Sequence, residues 1–308
     1  MGYHRRGLVT KVLDIIKTGA ILGESPVWSE QEQVLYWIDI KSPAIHCFNP
    51  ITRENKSWKM KQEIGSIALR QGGGLIAGFR SGIALINSDM KTIKSIASPE
   101  YNNPKSRFND GKCDRQGRFW AGTMYDPPGP PNKYFDREPI GKLYRVNSKY
   151  ECKTILDDIL VPNGLAWSPD GSVMYFSDSP KRIIWAYDYN IESGEPGKRS
   201  IFAKIPKEFN RGTCDGATVD CEGYYWSSEF RGGRLVRYSP NGDINRTIKL
   251  PVTRPTSCAF GGKDLSILYV TSAKIMMNEE ELELDFNAGN LLALDVGVCG
   301  IRETHFPT

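Results

Sequence analysis

Long apolar runs, paired cysteines, histidines and an excess of charge of one sign are all scarce in this 308-residue chain. No apolar run approaches the roughly 18 residues of a membrane-spanning helix, and the first stretch breaks its apolar residues with Lys11, Asp14 and Lys17. Neither a signal peptide nor a transmembrane helix is expected. The seven cysteines (Cys47, Cys113, Cys152, Cys214, Cys221, Cys258, Cys299) are odd in number, never spaced C-x-x-C and mostly set in apolar runs. That reads as reduced, packed thiols of a cytoplasmic protein and argues against a disulfide frame or a zinc cluster. Forty basic residues against 36 acidic ones leave a net charge of +4, and the basic residues are scattered. Nucleic acid and membrane surface are therefore not expected partners. None of His4, His46 and His305 stands beside a serine or cysteine motif, which disfavours a histidine-based triad. His46 lies in an apparent outer strand and reads as structural, and Cys214, with no basic partner in sequence, as a bystander. Helical periodicity is also missing, and Ile275 to Phe286 predicts at most a turn or two of helix in a loop.

Glycine and proline, by contrast, supply 30 and 19 residues. They fall between short runs rich in Val, Ile, Tyr, Phe and Trp, which is strand-and-turn punctuation. The segment Val27 to Asp39 repeats the grammar of Ala166 to Asp178: an apolar strand, a polar turn, an aromatic strand, then an acid. Further copies start at Ala68, Cys113, Thr218 and Ala259, and most continue into a third and fourth strand. Steps of about 40 to 50 residues with four short strands each predict an all-β, six-bladed β-propeller with a central channel, spanning 1–308 as one domain. Two long steps point to loop insertions at 125–139 and 189–210. Closure needs a paired edge, for which the apolar ends Val9–Ile16 and Ile301–Phe306 are the available pieces. Gly72 to Ala77 falls in a hairpin turn and not before a helix, so it is not read as a dinucleotide fingerprint. Trp28, Trp120, Trp167 and Trp226 recur through the blades as packing between them.

Innermost strands line a propeller's channel, so residues at their starts converge on one mouth. Three positions before each blade reference stand Glu24, Gly65, Asp110, Asn163, Asp215 and Thr256. Three carboxylates and a carboxamide gathered there repel and are costly to bury, and a divalent cation is the simplest remedy. Oxygen ligands suit calcium, magnesium or manganese, and a catalytic zinc also accepts carboxylates. Asn-Gly at 163–164 and Asp-Gly at 110–111 and 215–216 are equally ordinary turn dipeptides. Position alone leaves both readings open.

The motifs GESPVW (23–28), RFNDGKCDRQGRFWAGTM (107–124), PNGLAWSPDG (162–171), CDGATVDCEGYYW (214–226) and TSCAFGG (256–262) with LYVTSA (268–273) occur in order. Together they closely resemble the SMP-30/gluconolactonase/luciferin-regenerating-enzyme (regucalcin-like) family, from Gly23 to about Leu294. The resemblance implies a six-bladed propeller that binds one divalent metal ion, calcium ahead of zinc, magnesium or manganese, and hydrolyses a sugar lactone. It implies Glu24, Asn163 and Asp215 as metal ligands, Asp215 as general acid/base, and Arg107 and Asn109 as substrate contacts. Asp110 is then a turn or supporting residue. In regucalcin-like members a glutamate soon after GTM holds the sugar. Here Pro127 takes its place beside Asp126, so Asp126 is the substrate-binding candidate and substrate identity is where this chain departs. The expected partner is a small-molecule lactone, acted on by a monomer or homodimer. Another small lactone or a phosphotriester, or a non-catalytic calcium-binding or scaffold role, are the competing readings.

Overall fold

The computed structural model describes residues 10–98, 105–127, 138–207 and 212–307. Six four-stranded antiparallel sheets form a six-bladed propeller. The innermost strands are Gly23–Ser29, Ile64–Leu69, Ser106–Cys113, Pro162–Trp167, Thr213–Val219 and Pro255–Gly261, for blades 1 to 6 in order. Each packs against the next, and the sixth against the first, which closes the ring. Burial explains the order within a blade. Gly23–Ser29 and Val34–Asp39 are buried throughout, whereas the outermost Asn55–Lys59 alternates lysines and polar residues toward solvent.

The blades are joined by aromatic contacts between sheets. Trp120 on the second strand of blade 3 meets Trp167 on the inner strand of blade 4 with centroids 5.8 Å apart. Trp226 of blade 5 meets Phe260 of blade 6 edge-on at 6.1 Å, and Tyr269 of blade 6 stacks on Trp28 of blade 1 at 5.8 Å. Such pairs contribute about 0.5–1.5 kcal/mol each beyond their buried area.

Closure uses the N-terminal piece alone. Lys11–Ile16 pairs antiparallel with Leu291–Asp295 as the outer strand of blade 6. Residues 301–306 complete no blade. They cross the end of the channel where the inner strands finish, and Phe306 buries itself between blades 2 and 3 beside Arg70 and Tyr150. Within 189–210, residues 189–190 and 195–204 are strand and not loop, because Ile183–Asn190 and Glu195–Lys204 form one long hairpin. Of 125–139, Tyr125 ends a strand, and 128–137 lie outside the described residues. The only α-helix among the described residues is Glu279–Leu284, with Asn278 as its N-cap. Among the described residues no helix is long and apolar enough to cross a membrane. His46 stacks on Trp37 at 3.9 Å and burial lowers its pKa to about 4, so it is a neutral packing residue. Cys221 departs from the expectation of packed thiols, being exposed at a turn.

Candidate active site

Asn-Gly and Asp-Gly at the mouth are not turns. All six equivalent positions fall at or inside a break in register between the two inner strands of their blade: Glu24/Val27, Ile64/Ser66, Phe108/Gly111, Asn163/Ala166, Cys214/Ala217 and Pro255/Cys258. A β-bulge swings side chains off the pleat, and here the six bulges ring one channel. Bulges and turns favour the same residues, which is why the sequence left the two readings open. At Gly164 the backbone has φ +66, and a Cβ would collide with Tyr225 Oη and Ser177 Oγ. Ser25 also holds a positive φ of 48, with its Oγ accepting from Ile67 N at 2.9 Å, so Glu24 is fixed to blade 2 as well as blade 1.

Glu24, Asn163 and Asp215 are buried, as are Arg107 and Asn109. Ser25 N donates to Glu24 Oε2 at 3.0 Å. The Asn163 amide is locked in one orientation: its Nδ2 donates to Ser179 Oγ at 2.7 Å and its Oδ1 accepts from Asn109 Nδ2 at 2.9 Å. Ser179 Oγ in turn donates to the carbonyl of Cys214, next to Asp215, at 2.6 Å. Burial, then the charge of Asp110, pushes the Glu24 carboxyl above the usual carboxylate range. Burial, then the charges of Glu24 and Asp110, does the same to Asp215. Asp110 is thus part of the same electrostatic group and not a turn residue. Its carboxyl is raised by burial while Oδ2 accepts from Leu165 N at 2.9 Å. Aligning the blade starts points to Asp110 and the family motif to Asn109. The structure puts both at the mouth, within one bulge, and both hydrogen-bond to the inner strand of blade 4.

Arg107 links this group, through Asp126, to three charges that the sequence did not single out, Lys41, Glu63 and Arg80. Its Nη1 donates to Asn109 Oδ1 at 2.8 Å and its Nε to Asp126 Oδ2 at 2.5 Å. Lys41 Nζ reaches Asp126 and Glu63 at 2.7 Å each, and Arg80 Nε donates to Glu63 at 2.7 Å. Burial would raise Asp126, but Arg107 and Lys41 outweigh it and hold the carboxyl well below the ordinary range. Asp126, not Pro127, is the residue that meets Arg107. Lys41, Glu63 and Arg80 each lie within two residues of an end of a first or second strand, so the blade alignment, carried to the second strands, was the signal for them. Cys214 is buried and its thiol is pushed up to about 12, which leaves it protonated and inert.

Among the described residues no group of three or more His, Cys, Asp or Glu side chains is arranged to hold a metal ion. An ion at this mouth would rest on two carboxylates and one amide oxygen. Those are hard oxygen donors carrying two negative charges, and their repulsion is the observation that fits a divalent cation.

A family model described as SMP-30/Gluconolactonase/LRE-like region matches residues 22–274. The 6-deoxy-6-sulfogluconolactonase of Pseudomonas putida is 39% identical over 295 residues, 95% of this chain and 97% of that one. Regucalcin of Oryctolagus cuniculus is 33% identical over 94% of this chain and 96% of that one. Among solved structures, a calcium-binding protein, regucalcin, from Agrobacterium tumefaciens superposes with a TM-score of 0.88 at 25% identity, covering 97% of each chain.

Proposed function

The chain belongs to the SMP-30/gluconolactonase/LRE-like family, and on that footing we propose that it is a divalent-cation-dependent hydrolase that opens a sugar lactone to the aldonic acid. The observation that carries this reading is the mutually repelling set of buried Glu24 and Asp215 with half-buried Asp110 at the channel mouth, with the Asn163 amide locked beside it. Glu24, Asn163 and Asp215 would hold the ion, with calcium the first choice and zinc, magnesium or manganese the alternatives. When bound, it would supply Lewis-acid polarisation of the lactone carbonyl.

The chain's own groups do the rest. Asp215 takes a proton from the attacking water on its carboxylate and returns it to the ring oxygen as the lactone opens. Arg107, held by Asn109 at Nη1 and by Asp126 at Nε, offers its remaining N–H groups to substrate oxygens in a fixed plane. Asn109 carries that alignment to Asn163. Burial of the set excludes bulk water and strengthens each of these interactions.

The rim sets the substrate preference. Lys41, Arg80 and Arg107 bring three positive charges against the two negative ones of Glu63 and Asp126, an excess that suits an acidic sugar. The relative in Pseudomonas putida is named for a 6-sulfonated lactone, and 6-deoxy-6-sulfogluconolactone therefore stands beside glucono-1,5-lactone as first substrate. A proton-release assay over neutral and 6-anionic aldonolactones tests this. The proposal expects saturable turnover of at least one sugar lactone, and a KM for the anionic substrate that rises about tenfold or more in Lys41→Ala. Cation binding with silence across all sugar lactones would point instead to the non-catalytic calcium-binding reading. Turnover confined to other small lactones or a phosphotriester would move the substrate class.

A further inference from the structure

Two cysteines with no part in the mouth face each other at the opposite end of the molecule. Cys221 lies in the tight turn between the inner strands of blade 5, where Gly223 N donates to the Asp220 carbonyl and the Asp220 carboxylate accepts from Glu222 N and Tyr224 N, all at 3.0 Å. Cys299 lies where the chain leaves blade 6. The two backbones are tied directly: Cys221 N donates to Cys299 O at 3.0 Å, Asp220 and Gly300 form an antiparallel bridge, and Gly300 N donates to Leu265 O at 2.8 Å. Between these fixed backbones the Cys299 and Cys221 Sγ atoms stand 2.6 Å apart. Cys221 is exposed and Cys299 half-buried, whereas Cys113, Cys214 and Cys258 are buried. A reagent in solution thus meets the pair at its Cys221 side.

The segment that begins at Cys299 closes the far end of the channel. Glu303 pairs with Lys112 at 3.0 Å and lines the channel interior with Asp110, Ser25 and Cys258. Phe306 N donates to Leu69 O at 2.8 Å, Phe306 O accepts from Gln71 N at 2.9 Å, and its ring is buried. Residues 299–306 therefore staple blades 2, 3, 5 and 6, with no covalent anchor other than the chain itself.

We infer that Cys221 and Cys299 are a modification site: a dithiol that small-molecule disulfides oxidise to an intramolecular disulfide, pinning residues 299–306 across the lower end of the channel. With oxidised glutathione, the Cys221 thiolate attacks one glutathione sulfur and releases the first glutathione thiolate, leaving a mixed disulfide. The Cys299 thiolate then attacks Cys221 Sγ, forms the Cys221–Cys299 bond and expels the second glutathione. Two electrons pass from the cysteines to the glutathione disulfide, and the two cysteine protons end on the two glutathiones. The bond joins positions 78 residues apart, and so removes much of the freedom of the opened segment.

The test is to equilibrate the native protein with a series of reduced and oxidised glutathione, quench in acid, and map the peptides by mass. The expected result is a species two hydrogen atoms lighter that carries a peptide joining Cys221 to Cys299, reversed by reductant. Cys299→Ser should instead accumulate a glutathione adduct at Cys221, because the displacing thiol is gone. Amide hydrogen exchange over 300–306 should slow at least severalfold in the oxidised wild type and stay unchanged in the variant. Glutathione adducts on the wild type with no joined peptide would overturn the pairing, and a joined peptide with unchanged exchange over 300–306 would overturn the pinning.

Discussion

Glu24, Asp110 and Asp215 gather three carboxyl groups at one channel mouth, where burial and mutual repulsion are costly without a counter-charge. Glu24 and Asp215 are both held above their ordinary values of 4.5 and 3.8, first by burial and then by one another or by Asp110. In the cation-free protein the folded chain therefore keeps protons that the unfolded chain has lost once the pH passes about 4.5. The contribution of these two groups to stability is greatest below that pH and is lost as pH rises through the raised folded values. A divalent ion held by these groups would reverse the balance, because its ligands must be ionised and binding would expel the protons. Titration calorimetry at neutral pH in two buffers of different ionisation heat should show proton release on calcium binding, with apparent affinity increasing as pH is raised. Heats that do not depend on the buffer would count against the ligand set. Position and residue type left Glu24, Asn163 and Asp215 open between ligands and turn residues until the family motifs chose between them, and neither said how these side chains are held. The Ser179 bridge to Cys214 and the Lys41–Glu63–Arg80 ring join residues far apart in sequence, and no local pattern marks such partners.

At the scale of the element, the acid that ends the second strand of each similar unit has a structural task. Asp39 accepts backbone hydrogen bonds from Ile21, Leu22, Lys41 and Ser42 at 2.8 to 3.1 Å, and Asp178 from Leu160 and Val161 at 3.1 and 2.9 Å. Each carboxylate latches the chain entering its own inner strand, which sets the height of Glu24 in blade 1 and Asn163 in blade 4. Asp39→Ala leaves the buried Leu22 N–H and three partly buried N–H groups without this acceptor and should cost about 1–3 kcal/mol, read as a fall in Tm with a weakened cation affinity. Loss of neither would show that the latch is redundant. The strands and their order were legible because the alternation of apolar and polar residues and the Gly and Pro punctuation are local. Of the outer strand Glu195–Lys204 the sequence marks only Arg199 to Ala203 as a fourth strand, because its first half is largely exposed and carries no apolar alternation to distinguish it from a loop.

The whole molecule depends on joining its two ends. Lys11–Ile16 covers the edge of Leu291–Asp295, and without it blade 6 presents an unpaired apolar strand. A chain lacking residues 1–16 should lose several degrees of Tm and associate with rising concentration in sedimentation. A monomer of unchanged Tm would contradict this closure. That the last blade needs an outside strand was readable from the repeat, but not which terminus supplies it: Phe306 is apolar for a different reason, its place between blades 2 and 3. Ring closure also brings together, at one mouth, blade starts separated by nearly two hundred residues, so the hydrolase reading stands or falls on that convergence. The most direct measurement is proton release from a responsive sugar lactone by chelator-stripped protein, before and after a divalent ion is restored, with Asp215→Asn alongside. The account predicts activity that returns with the ion in the wild type, and a kcat at least a hundredfold lower in the variant at an unchanged fold. Turnover by the stripped protein, or an Asp215→Asn enzyme as fast as wild type, would contradict it.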